Sequence, residues 1–298
     1  MRLPRTLTLY YPYFSAGLCT FAPIMQYDLF TDYQYKFFSL GSGSSGNCYY
    51  LGTRDYGILI DAGIGIRNVQ KALREYGVSF DKIMAVLITH DHADHIKTVG
   101  CFGDKYNIPV YATQSVHEGI LRNKAVQASL LQSRRVIEKE VPFSIRDFSI
   151  TAFDVPHDSI GNVGYHIRLG HHTFVLITDI GCITDKVKSY ASQANHLVIE
   201  ANYDEYMLQA GRYPYYLKER IKNGMGHLSN KLSAEFIADI YHEKMQNIWL
   251  CHLSQDNNHP DLAFKTVEQA LIGKGVSVGK SVRLETLSRH KVSGLREF

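Results

Sequence analysis

The segment Leu87-Ile88-Thr89-His90-Asp91-His92-Ala93-Asp94-His95 places three imidazoles and a carboxylate, those of His90, His92, Asp94 and His95, within six positions. It continues an apolar run that starts at Ile83, so the cluster stands where a buried strand passes into a loop. His90 and His92 can converge on one ion as the chain leaves the sheet. Asp94 and His95 then open a helix and face a second ion, and the positive end of that helix favours the Asp94 carboxylate. Nitrogen and oxygen donors without thiolates suit zinc, manganese or iron in a site left open for catalysis. A generic His-rich tract has no reason to keep this spacing.

Past residue 34 the chain reads as short apolar strands and amphipathic helices. Strands are predicted over 35–40, 48–51, 57–60, 83–89 and 109–112, and in the second half over 148–154, 163–169, 173–178, 196–200 and 247–252. Apolar Ile66, Val69, Leu73 and Tyr76 keep helical spacing and predict a helix over 66–76. Further helices are expected over 95–106, 114–123, 229–243 and 260–271. Neither a linker nor a low-complexity block separates the two halves, which suits an α/β fold with sheets packed inside and helices outside.

Composition sets wider bounds. The chain has 298 residues, 45% hydrophobic and 20% charged, an ordinary globular balance that excludes a disordered or collagen-like chain. A net charge of +3 is too weak by itself to name an anionic partner; only its placement could. The five cysteines, Cys19, Cys48, Cys101, Cys182 and Cys251, form no CxxC pair, which suits small hydrophobic residues in a reducing compartment. Residues 6–27 carry no charge and follow Arg2 and Arg5, the outline of a secretory signal. Pro12 and Pro23 interrupt that run, and Tyr10, Tyr11 and Tyr13 load it with polar rings. The expectation is therefore an N-terminal extension over 1–34, disordered or read from an upstream start codon with Met25 near the natural beginning, and one domain over 35–298 in a cytoplasmic protein with no membrane contact.

The H-x-H-x-D-H segment after a hydrophobic strand resembles the signature of the metallo-β-lactamase fold superfamily, and the resemblance extends over nearly all of 35–298. It implies an αββα sandwich, two mixed sheets inside and helices outside, holding two divalent metal ions, zinc or manganese, with iron also compatible. Asp61, in Ile60-Asp61-Ala62-Gly63, then matches the aspartate that braces the histidine loop. His157 completes a first site with His90 and His92. His252 completes a second with Asp94 and His95, and Asp179 is shared.

In nucleases of the superfamily, ribonuclease Z included, a strand-end Glu-Ala and a Gly-His-Ser-type helix entry form an acid pair. Glu200 and His227 match it, His227 as proton donor to the leaving oxygen and Glu200 as its support, with Asp94 also orienting the attacking hydroxide. Expelling an alkoxide from a phosphodiester needs such an acid more than expelling a thiolate does. Still closer is the resemblance to the YycJ/WalJ family of bacterial exonucleases, carried by Phe38-Ser39-Leu40-Gly41-Ser42-Gly43-Ser44-Ser45-Gly46-Asn47, Gly226-His227-Leu228-Ser229-Asn230 and the run from Cys251 to Asn258. It implies a 5′-to-3′ DNA exonuclease that uses a metal-bridged hydroxide, prefers DNA to RNA and has no obligate protein partner. The Tyr- and Arg/Lys-rich stretch over 203–222 suggests a strand-binding surface with Arg212, Tyr215, Lys218 and Arg220 as contacts. The competing readings are a ribonuclease Z-type RNA phosphodiesterase, a glyoxalase-II-like thioesterase, and a non-catalytic metal-binding regulatory module.

Overall fold

The computed structural model describes residues 34–124 and 126–298. The N-terminal extension expected over 1–34 lies outside the described residues except for Gln34.

Among the described residues there are fourteen strands. The first six are β1 (Tyr35–Gly41), β2 (Cys48–Thr53), β3 (Gly57–Ile60), β4 (Ile83–Leu87), β5 (Val110–Thr113) and β6 (Arg134–Ile137). There follow β7 (Phe143–Ile145), β8 (Phe148–Asp154), β9 (Val163–Leu169), β10 (His172–Ile177) and β11 (His196–Glu200). The last three are β12 (Asn247–Cys251), β13 (Arg283–Thr286) and β14 (Ser293–Glu297). The helices are α1 (Ile66–Glu75), α2 (Ala93–Ile96), α3 (Gln114–Arg122), α4 (Asp185–Ala191), α5 (Glu205–Ala210), α6 (Tyr215–Lys222), α7 (Asn230–Ile240) and α8 (Pro260–Gly273).

The strands form two seven-stranded sheets, ordered β14-β1-β2-β3-β4-β5-β6 and β13-β12-β11-β10-β9-β8-β7. Each is antiparallel on one side and parallel on the other, from β3 to β6 and from β10 to β13. Parallel neighbours require crossover connections, and the helices supply them. Phe37, Tyr49, Tyr165 and Trp249 fill the layer between the sheets. Val69, Leu73, Val116 and Ile120 bring α1 and α3 onto the outer face of the first sheet. Ile237, Val267 and Leu271 bring α7 and α8 onto the second. This is the expected αββα sandwich, and burial on both sheet faces is why strands such as β11 read as unbroken apolar runs.

Several segments differ from expectation, among them the unpredicted short helices α4, α5 and α6. The helix expected over 95–106 is split into α2 and a π-helical turn at Cys101–Lys105. Between them Thr98 donates its hydroxyl to the carbonyls of Ala62 and Ile64, and a side chain at Gly100 would meet the Gln127 carbonyl at 2.2 Å. No element is predicted past residue 271, yet β13 and β14 close one edge of each sheet, where half-exposed strands need little apolar content. The short strands β6 and β7 likewise lacked an apolar run to announce them. Among the described residues, no helix is long and apolar enough to cross a membrane.

At the start of β11, opposite the strand ends that carry the histidine loop, His196 is buried among Phe174, Trp249 and Phe298. Its Nδ1 accepts from the Asn247 amide at 2.9 Å, and its Nε2 lies 2.8 Å from His172 Nδ1. Burial, and secondarily His172, push its pKa down to about 3. The unfolded chain therefore takes up a proton below about pH 6.5 that the folded chain refuses, so this part of the stability is complete above that pH and lost as pH falls towards 3. His196→Gln is expected to flatten the acid limb of a Tm-versus-pH curve, each refused proton being worth up to about 1.4 kcal/mol per pH unit. Parallel curves for the two proteins would show that His196 is not the group responsible.

Candidate metal centre

Every sequence-predicted ligand sits at or just past the C-terminal end of a strand, on one side of the sandwich. Asp61 follows β3, the histidine loop follows β4, His157 follows β8 and Asp179 follows β10. Glu200 ends β11 and His252 follows β12. Parallel strands aim these ends the same way, so residues far apart in sequence meet. The backbone is bent to suit: Asp61 and His252 have φ of +63° and +52°, a region that costs a non-glycine residue energy and is held here by the surroundings. The His252 amide donates to Ser42 Oγ at 2.9 Å, and the Asp61 amide to the Leu87 carbonyl at 2.7 Å.

The first cluster is His90, His92 and His157, whose donor atoms all lie within 4.8 Å of one another. His157 Nδ1 donates to the Gly226 carbonyl at 2.8 Å, which turns its Nε2 to within 3.4 Å of His92 Nδ1. His90 Nε2 is buried and makes no hydrogen bond. The second cluster is Asp94, His95 and His252. Asp94 Oδ2 lies 3.5 Å from both His95 Nε2 and His252 Nε2, and the latter is also buried without a hydrogen bond. Asp179 stands between the clusters, Oδ1 at 2.8 Å from His252 Nδ1 and Oδ2 at 2.9 Å from His95 Nε2 and 4.0 Å from His90 Nε2.

These donors fit divalent cations. Two ligands on one tetrahedral ion, each at about 2.0–2.1 Å, stand about 3.4 Å apart, the spacing found in both clusters. The orphaned nitrogens of His90 and His252 would otherwise be buried polar atoms left unpaired at a cost. Asp61 braces the arrangement: it accepts His95 Nδ1 at 2.7 Å and both the amide and the hydroxyl of Thr89, which fixes the His95 ring with Nε2 towards the centre. Burial opposes the charge on His95, but Asp61 and Asp179 outweigh it and hold the ring up at about 10. Burial likewise opposes ionisation of Asp179, yet His252 and His95 pull its carboxyl well below the usual range. His90 goes the other way: burial, then the neighbouring His95, keep it neutral and free to ligate.

Beside the clusters His227 Nδ1 donates to Glu200 Oε1 at 2.7 Å. Glu200 is fully buried, and its Oε2 also accepts the amides of Ile180 at 3.0 Å and Leu228 at 3.2 Å. His227 keeps 22% of its side chain exposed and lines the cleft with His92, Asp94 and Asp179. Burial opposes a charge on His227, and Glu200 reverses the balance and raises its pKa.

The structure brings together His90, His92, Asp94, His95, His157, Asp179, Glu200, His227 and His252, with Asp61 behind them. Of the four residues suggested for strand binding, Arg220 lines the cleft, paired with Asp158. Arg212, Tyr215 and Lys218 sit on the same flank outside the cleft lining, Lys218 donating to the Gln209 carbonyl at 2.6 Å and Tyr215 largely exposed. Sequence reasoning missed four contributors. Asn47 places Nδ2 2.9 Å from His95 Nε2, and Asn202 donates to Glu200 at 3.2 Å and to the His252 carbonyl at 2.8 Å. Asp158 Oδ1 is buried without a hydrogen bond 3.4 Å from His157, and Tyr213 lines the cleft while donating to Asp256. Asn47 lay inside the glycine-serine motif, Asp158 beside His157 and Tyr213 inside the Tyr-rich stretch over 203–222, so three signals were present; Asn202 carried none.

A two-sheet sandwich with histidine and aspartate clusters at its strand ends defines a metallo-β-lactamase-type metalloprotein. In agreement, residues 56–250 match the family model described as "Beta-lactamase superfamily domain". The chain is 34% identical over 248 residues to exodeoxyribonuclease YycJ of Bacillus anthracis, covering 82% of this chain and 92% of the relative. It is 32% identical over 264 residues to exodeoxyribonuclease WalJ of Streptococcus pneumoniae, covering 89% and 98%. The crystal structure of the metallo-β-lactamase fold protein YhfI from Bacillus subtilis superposes with a TM-score of 0.64 at 18% identity, over 87% of this chain and 98% of that one, a likeness of fold. The chain belongs to the YycJ/WalJ family of the metallo-β-lactamase fold superfamily.

Proposed function

We propose that this chain is a divalent-metal-dependent phosphodiesterase that degrades DNA in preference to RNA, as a 5′-to-3′ exonuclease. Two ions, zinc or manganese with iron also compatible, would be held by His90, His92 and His157 on one side and Asp94, His95 and His252 on the other, with Asp179 available to both. The observation that carries the reading is the Glu200–His227 pair beside the clusters. A thioesterase, whose thiolate leaves unaided, has little use for a buried carboxylate holding an imidazole towards the cleft. The two exodeoxyribonuclease relatives support DNA as the substrate.

When bound, the ions would supply Lewis acidity to the phosphoryl oxygens. The chain supplies the rest. With Nδ1 committed to Glu200, His227 has Nε2 to carry the proton that the departing oxygen takes, and the Glu200 carboxylate favours the charged ring. Asp94, with 23% of its side chain exposed, orients the attacking water. Arg220 stands at the cleft rim to meet a backbone phosphate, and the exposed rings of Tyr215 and Tyr216 on α6 offer stacking faces to bases.

The test is incubation of metal-loaded protein with end-labelled single- and double-stranded DNA and RNA. A ladder of mononucleotides released from the 5′ end of DNA, and slower action on RNA, is expected. Release from the 3′ end would overturn the polarity, and internal cuts the exonuclease assignment.

A further inference from the structure

Ser44 lines the catalytic cleft, and the next two residues, Ser45 and Gly46, line a second cavity of about 690 Å³. The glycine-serine loop between β1 and β2 is thus a wall shared by two spaces. Its glycines keep the wall thin: a Cβ at Gly41 would come within 2.7 Å of Ile64 Cδ1, and one at Gly43 within 3.0 Å of Arg289 Cγ. The two spaces are also braced together, since Arg289 in the second cavity donates Nη1 to the carbonyl of Ser254 in the first, at 2.9 Å.

The second cavity is basic. Lys71, Lys97, Arg289 and Lys291 line it with His290, against one carboxylate, Glu75, whose Oε1 lies 3.7 Å from Lys71 Nζ. Lys97 and Lys291 are exposed and form no ion pair among the described residues. These cations come from three separate segments: α1, the turn after α2, and the turn between β13 and β14. A solvated face of one helix would not collect charge this way. In a chain whose net charge is only +3, this much positive charge in one concavity is a marked concentration. Lys97 also stands two residues past His95, so the cations begin where the metal ligands end.

We infer that this groove binds the phosphodiester backbone of the nucleic-acid substrate beyond the scissile phosphate, the strand crossing the loop wall between the two cavities. The inference rests on the nuclease reading and adds to it a place for the rest of the strand. Lysines on a backbone track neutralise phosphates without reading bases, so the contribution is to affinity, not sequence preference. A free nucleotide presents the same phosphate chemistry and is the other source to be distinguished.

The test uses the metal-loaded full chain carrying Lys71→Gln and Lys291→Gln, both at exposed positions outside the core. Binding of a labelled oligonucleotide should weaken about tenfold, and the slope of log Kd against log salt should fall by about two, one for each phosphate that is no longer neutralised. KM for the oligonucleotide should rise in step while kcat holds. Hydrolysis of a p-nitrophenyl phosphodiester of a single nucleoside, too short to reach the groove, should keep its wild-type kcat/KM. An unchanged salt slope and KM would overturn the inference. So would loss of nucleoside monophosphate binding, measured by calorimetry, with oligonucleotide affinity intact, because the groove would then be a product pocket. Failure of the nuclease reading is distinguishable: the wild-type protein itself would neither bind nor cut any oligonucleotide while still hydrolysing the small ester.

Discussion

His227→Ala is expected to slow cleavage of a natural phosphodiester by roughly a hundredfold to ten-thousandfold, the usual worth of a positioned proton donor. The reason is geometric. Glu200 holds the ring by Nδ1 at 2.7 Å, the ring lines the cleft, and burial of Glu200 keeps that carboxylate from being screened by water. A p-nitrophenyl ester leaves without needing a proton, so its hydrolysis should fall far less. Metal content should stay at the wild-type level. That last readout matters because Asp179, Glu200, His227 and His252 also place donor atoms within 4.8 Å of one another, a grouping that could in principle hold an ion. Loss of metal from the variant would exchange the roles of His227 and His252, and equal losses on both esters would make His227 a binding or structural residue. Glu200→Gln should show the same selectivity more weakly, because Gln still accepts a hydrogen bond from the imidazole but no longer favours its charge.

The site was legible because its residues end apolar strands. His90, Asp179, Glu200 and His252 follow runs such as Phe174–Ile177 and Asn247–Cys251 that burial on both sheet faces forces to be apolar, so strand ends could be located from sequence alone. Spacing tied His90, His92, Asp94 and His95 together, while His157, Asp179, Glu200, His227 and His252 depended on the family resemblance. What sequence could not show was conformation and long-range support. Nothing in the local residues announces the left-handed backbone of Asp61 and His252, because the Leu87 carbonyl and the Ser42 hydroxyl that help hold it come from other strands and loops. Asn202 is equally silent, an amide whose role depends on lying between Glu200 and His252. The edge strands β13 and β14 escaped for the opposite reason, since partial exposure relaxes the apolar pattern that reveals central strands. The basic groove was hidden in a net charge of +3, a sum that erases where the charges sit.

Asp179→Asn is expected to lose about three to four orders of magnitude in turnover, together with bound metal. The carboxylate is 2% exposed and stands between both histidine clusters, within 2.9 Å of His95 Nε2 and 2.8 Å of His252 Nδ1. Its backbone is held independently, the Asp179 carbonyl accepting Asn162 Nδ2 at 2.8 Å, so an amide of the same shape should sit in the same place. What changes is charge. Metal ions contribute several kcal/mol of transition-state stabilisation, and at about 1.4 kcal/mol per tenfold this gives the expected loss. The neutral amide also presents an NH2 group on one side, which cannot ligate and would be aimed at a ring nitrogen or a cation. Metal analysis of the variant should therefore show fewer ions per chain than wild type, and far-ultraviolet circular dichroism should show the sandwich intact, because its three apolar layers do not depend on the cleft. A variant that keeps full metal content and wild-type turnover would remove Asp179 from the centre. One that keeps its metal but loses turnover would make Asp179 a group that aligns the substrate or the attacking water and is not needed to hold the ions.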